Sequence, residues 1–293
     1  MIGNRRGAHL RRSGGLNPVV TLGLGSLTLL GLATASMLGL RAGHSQTDQP
    51  VIRVYCAAGV AVPVEQALTD FNSRGVGQAE MTRIGGSGRL LGQIAMERAL
   101  DMRGGADLYV SADASLIRRG QQQQIMARGV PLARQHPVIA VRSAARFPAP
   151  TTISEMIATR RFGVANENAA IGELTRTLAE EEGQLAALEA SAALDAENVM
   201  HLAQALATGA LDAAIIWNTT VAQINQQSET PRLQVAALLE PPKGSEAGVI
   251  SLAVVRGTGV PEAAERLARF IADREGGLGH LDAQGFQVIG ETP

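Results

Sequence analysis

The sequence predicts an α/β protein in two lobes, each a mainly parallel sheet flanked by helices. Three observations lead there. From residue 51 onward, short β-branched runs alternate with longer stretches whose apolar residues recur every three to four positions, the pattern of βαβ units. At 293 residues with 45% hydrophobic content, the chain can bury one large core or two modest ones, and the usual domain size leans toward two lobes. Small-residue turns such as Gly85-Gly86-Ser87-Gly88 stand where a strand ends and a helix begins.

The elements follow in order. Residues 51–56 form the first apolar strand, and Ala57-Ala58-Gly59-Val60 links it to a helix over 62–72. A strand at 79–84 runs into the glycine turn and a helix over 89–100. A strand at 107–111 precedes a helix over 114–127, with Gln121 to Gln124 on its solvated face. Strands at 137–142 and 162–165 come next, then a helix over 171–182. A helix over 198–207, strands at 212–217, 233–237 and 249–255, and a helix over 261–273 with Pro261 in its first turn complete the pattern.

Charge and composition exclude several classes. Charged residues make up 18% and aromatics 3%, which suits neither a disordered chain nor a base-stacking nucleic-acid binder, so no nucleic-acid partner is expected. Five of the 26 basic residues lie in the first fifty positions beside one acid, Asp48. That leaves 21 bases against 26 acids, a net charge of −5 over the rest. An acidic body repels anions at long range, so any anion it binds is captured by local donors.

Residues 1–48 have the layout of a signal peptide or membrane anchor with a linker: Arg5-Arg6 and Arg11-Arg12, an apolar run over 19–40, then a polar stretch. Cleavage is the favoured outcome, after 33–35 or 41–43, and the body is then periplasmic or otherwise extracytoplasmic. The sole cysteine, Cys56, falls inside the first strand and reads as a buried core thiol.

Enzyme chemistry finds no support in the motifs. His136, His201 and His280 lack a metal-ligand spacing, no Gly-x-Ser-x-Gly elbow is present, and Cys56 has no basic neighbour. The glycine turn also lacks the Lys-Ser/Thr end of a nucleotide loop, Lys243 being the one lysine of the chain. What the turn does offer is close backbone approach, a hydroxyl on Ser87 and the free amides of a first helical turn, all suited to an anion.

Read together, Ala57-Ala58-Gly59, Gly86-Ser87-Gly88 with Gln93-Ile94, and Ala106-Asp107 through Ser111-Ala112-Asp113 resemble the molybdate-binding proteins of ABC transporters, the type II periplasmic binding proteins. Phe162 to Asn166 with Ile171-Gly172, Glu197-Asn198-Val199, Gly209 to Trp217, Glu275-Gly276-Gly277 and Gly285-Phe286 extend the likeness over about residues 51 to 290. The resemblance implies two α/β lobes joined by two crossover strands, with lobe one over 51–135 plus 245–293 and lobe two over 136–244.

It also implies a pocket. Ser87 matches a serine that gives its amide and hydroxyl, and Ile171 and Val199 match positions that give backbone amides. Gly59 stands where the family has a second serine, and Trp217 replaces a tyrosine, its indole N–H remaining a donor. Ala58, Gly86 and Gly88 support the loops. For Asp107, Ser111 and Asp113 a scaffold role outweighs ligand contact.

The implied ligand is molybdate or tungstate. Molybdenum is held only as the oxyanion, no cofactor is needed, and a monomer hands the ligand to an ABC permease. Loss of the hydroxyl at Gly59 is expected to open space, so that Gly59→Ser retains binding. The alternative is a membrane-tethered sensor domain for another small anion, sulfate or an organic carboxylate.

Overall fold

The computed structural model describes residues 50–102, 104–159 and 161–289. The signal or anchor segment at 1–48 lies outside them. Along the chain run β1 (Val51–Ala57), a 3-10 turn (Ala58–Val60), α1 (Ala61–Ser73), β2 (Gln78–Gly85), α2 (Ser87–Ala99), β3 (Leu108–Asp113), α3 (Ala114–Gln122) and β4 (Val130–Arg134). Then come β5 (Pro137–Arg142), α4 (Ile153–Ile157), β6 (Phe162–Ala165), α5 (Ala170–Glu181), α6 (Leu185–Ser191), β7 (Leu194–Ala196), α7 (Val199–Thr208), β8 (Ala213–Trp217), α8 (Asn218–Gln226) and β9 (Leu233–Leu238). The chain closes with β10 (Ala247–Val254), α9 (Pro261–Ile271), α10 (Gly277–Ala283) and β11 (Gln287–Val288).

Two sheets organise these elements, in the orders β11-β4-β10-β3-β1-β2 and β7-β6-β8-β5-β9. The chain passes from the first sheet to the second between β4 and β5 and returns between β9 and β10. β1 pairs in parallel with β2 and β3, and β6 with β7 and β8, as βαβ units require. The sheets are nevertheless mixed. β4, β5, β9, β10 and β11 pair antiparallel, because a chain that crosses between sheets as extended strand re-enters without a helical crossover. The expected parallel order therefore holds within β1 to β3 and β6 to β8 and ends at the crossing strands.

Helices cover both faces of the central strands, and every residue of β3 and of β8 is buried, the polar Ser111 and Asp113 of β3 included. In the first lobe Phe71 of α1 meets Phe270 of α9 edge-on, ring centroids 5.4 Å apart. α3 stops at Gln122 rather than 127. Gln124 takes a left-handed φ of 60°, and the chain turns so that buried Met126 can bridge Val255. β4 escapes the sequence pattern through Pro131, which is tolerated because it sits at the register shift of β10 near Ser251.

Candidate functional site

One cleft gathers the carboxyl ends of β1, β2, β3, β6, β7 and β8, where ligands of open α/β sheets sit. The first lobe contributes Ala57, Ala58, Gly59, Gly85, Gly86, Ser87 and Ala112; the second contributes Ala169, Ala170, Ile171, Asn198, Val199 and Trp217. None of these side chains is charged. The free space between these walls is small, roughly 230 Å³ counted out to the mouth. The five residues expected in the pocket, Gly59, Ser87, Ile171, Val199 and Trp217, are thus brought together, with Ala58 and Gly86 beside them. Gly88 is not on the wall.

Local sequence explains what each loop presents. α1, α2 and α5 begin without a side-chain cap, because Val60, Gly86 and Ala169 at their N-cap positions have no acceptor to offer. The backbone N–H groups of Gly59, Ser87, Ile171 and Val199 take no part in the hydrogen bonds found among the described residues. α7 differs, since Asn198 Oδ1 accepts from Met200 and His201. Helix starts with free amides carry partial positive charge, so the cleft wall presents hydrogen-bond donors without a formal cation.

Ser87 is 2% exposed. Its Oγ accepts from the Ala112 amide at 3.3 Å, which leaves the hydroxyl proton free to donate. Its carbonyl accepts from Tyr109 Oη at 2.7 Å. Burial first of all raises the Tyr109 hydroxyl above its ordinary pKa, so Tyr109 remains a neutral donor. Behind the wall, Ser111 Oγ donates to Asp113 O, Asp113 caps the Ser115 amide, and Asp107 holds the backbone N–H and guanidinium of Arg53 and the Thr258 hydroxyl. These three residues shape the turn and stay off the cleft wall.

The second lobe closes against the glycine loop. A side chain on Gly86 or Gly88 would set its first carbon 2.9 Å from the Asn168 carbonyl, and Arg89 N donates to that carbonyl at 3.2 Å. Arg89 also pairs with Glu197 at 2.8 Å, and Arg119 with Glu173 at 3.1 Å, both across the lobes and both half-exposed. The glycines thus serve close approach of the lobes.

Gly59 corrects one expectation, because the space beside it is filled. A β-carbon there would lie 3.2 Å from Val199 Cγ1 and 3.7 Å from Trp217 Cδ1. The indole of Trp217 spans from this point toward Gly248 of β10, where an added β-carbon would lie 3.3 Å from Cζ3. Sequence reasoning missed Ala112, Ala169, Ala170 and Asn198 as wall residues; the Asn-x-x-His start of α7 was the available signal for the last.

A two-lobed α/β protein with its cleft at the strand ends and two crossings between its sheets is a type II periplasmic-binding-protein fold. The family described as bacterial extracellular solute-binding protein matches residues 52–286, and the chain belongs to that family. Among solved structures, the Azotobacter vinelandii periplasmic molybdate-binding protein is similar at 17% identity, covering 82% of this chain and 100% of that one with a TM-score of 0.62. The sulfate-binding protein SubI from Mycobacterium tuberculosis is similar at 15%, 82% and 88% with 0.61, and a periplasmic thiamin binding protein at 14%, 83% and 85% with 0.68. A comparison with curated proteins finds no match. Among the described residues no helix is long and apolar enough to cross a membrane.

Proposed function

We propose that this solute-binding protein captures a tetrahedral oxyanion, with molybdate or tungstate as the leading ligand, and delivers it to an ABC permease. The observation that carries the reading is the convergence of four free backbone amides and the Ser87 hydroxyl on a small uncharged cleft. Amides, a hydroxyl and the Trp217 indole are donors. Such a wall favours a fully deprotonated dianion over hydrogen phosphate, whose proton would face donors and lose its partner.

Size supports a ligand of few atoms. The small space between the walls grows to hold an oxyanion with a slight parting of the lobes, whereas a ring system would break the Arg89–Asn168 and Arg89–Glu197 contacts. The test is calorimetry and thermal shift on the purified protein with molybdate, tungstate, sulfate, phosphate, chromate and thiamin. Molybdate and tungstate are expected to bind most tightly; silence across the five oxyanions ends this reading.

A further inference from the structure

We propose that α8 carries a latch between the lobes with a release device built into it, formed by Gln223 and Thr220; the inference rests on the cleft reading above. Gln223 is 2% exposed, and its Nε2 donates at 3.0 Å to the carbonyl of Gly59 on the opposite lobe. The start of the same helix is bolted to the crossing segment between the sheets. His136 N donates to Asn218 Oδ1 at 2.8 Å, Asn218 N donates to His136 O at 2.9 Å, and Thr219 Oγ1 donates to Gln135 Oε1 at 2.7 Å. Trp217 of the cleft wall immediately precedes it. One rigid helix therefore joins the crossing, the cleft wall and the loop that carries Gly59.

The seam is incompletely satisfied. Thr220 is 0% exposed, and its Oγ1 lies 4.0 Å from where a β-carbon on Gly59 would stand, without a partner; Gln223 Oε1 is likewise buried and unpartnered. In the closed arrangement the Gln223–Gly59 bond is gained while two polar atoms are kept from water. A buried polar group without a partner costs more than a net hydrogen bond contributes, so the two stranded atoms more than offset the one bond gained. Parting the lobes wets both atoms. Closure is therefore not self-sustaining, and the bonds a ligand makes decide it. The rim pairs of Arg89 and Arg119 are half-exposed and contribute little to that balance.

Trp217 is the one tryptophan of the chain, so stopped-flow fluorescence with molybdate reads the cleft directly. Thr220→Val removes the stranded hydroxyl and keeps the shape; release is expected to slow roughly five- to tenfold with little change in association. Gln223→Met strands the Gly59 carbonyl, and release is expected to accelerate by about tenfold. Thr220→Ala serves in the same direction if the valine variant fails to fold. Wild-type release rates in folded Thr220 and Gln223 variants overturn the latch. If the wild type binds none of the oxyanions, the cleft reading fails separately, and ligand-free X-ray scattering still decides. The radius of gyration must then be smaller for Thr220→Val and larger for Gln223→Met than for wild type, and equality of the three overturns the proposal.

Discussion

Gly59 and Val199 bring the two lobes within contact: a β-carbon added to the glycine would stand 3.2 Å from Val199 Cγ1, tighter than packed side chains normally allow. The absence of a side chain at 59 is therefore a condition of closure on this second lobe. Gly59→Ser is expected to weaken molybdate binding by roughly 1–3 kcal/mol, the scale of overpacking in a packed interface. Pairing it with Val199→Ala should recover most of the loss. Calorimetry on the single and double variants checks this; a serine variant as tight as wild type would mean that Val199 yields at no cost.

Ser87→Ala removes the one hydroxyl that is both on the wall and free to donate, and it also leaves the Ala112 amide without its acceptor. Affinity is expected to fall by roughly 1–3 kcal/mol, as for loss of a hydrogen bond to a charged group. Calorimetry beside a melting curve separates this from unfolding. Unchanged affinity would remove Ser87 from the site.

The crossing point offers a backbone test. Gly248 has a φ of 78°, and a β-carbon there would clash with the Gln135 carbonyl and lie 3.3 Å from Trp217 Cζ3. Gly248→Ala combines left-handed strain with a clash against backbone and is expected to lower stability by roughly 2–4 kcal/mol. Urea unfolding measures it, and a variant within 0.5 kcal/mol, taken as about the noise of surface substitutions, would contradict the packing described.

Strand and helix periodicity reached the elements that carry the cleft because their cores are repetitive: VIRVYC in β1 and AAIIW in β8 can be little else than buried strand. Elements held by tertiary contacts were not legible in this way. The Asn-Thr-Thr start of α8 is a poor helix former, yet the helix stands because Asn218 and Thr219 bond the crossing segment and Val221 and Ile224 are buried. The same holds for the site. Ser87 could be found from its glycine loop, whereas Gln223 bonds Gly59 and Thr220 faces it from more than 150 positions away in sequence, which no local pattern encodes.

Alkaline pH should expose the role of Tyr55. Its hydroxyl donates to Glu97 Oε1 at 2.7 Å, and burial, followed by that bond, pushes its pKa from 10.0 up to about 12. A raised folded pKa means that the unfolded chain loses the proton first, so the stability contribution is complete below pH 10 and lost as pH rises to about 12. Tyr109 acts in the same direction. The urea midpoint is expected to fall over that window. Tyr55→Phe should start lower by about 1 kcal/mol at pH 8 and fall less steeply thereafter; an identical slope would show that Tyr55 titrates normally.

Cys56 gives a probe of the first loop from inside. The thiol is 0% exposed, its Sγ lies 3.5 Å from the Ala57 carbonyl, and burial pushes it well above the ordinary thiol range. A thiolate is the reacting species, so a native protein should not react with a disulfide reagent at pH 8, while guanidinium-unfolded protein should release one equivalent promptly. Slow reaction of the native state must then pass through opening of the end of β1, the segment that leads into Ala58 and Gly59. A ligand held by the amide of Gly59 binds only the closed protein and lowers the open population in proportion to its occupancy. Saturating molybdate is therefore expected to slow the native-state reaction at least tenfold, on the order of what a ligand at ten times its Kd produces. A rate indifferent to molybdate, in a protein that binds it, would place the opening elsewhere than at this loop.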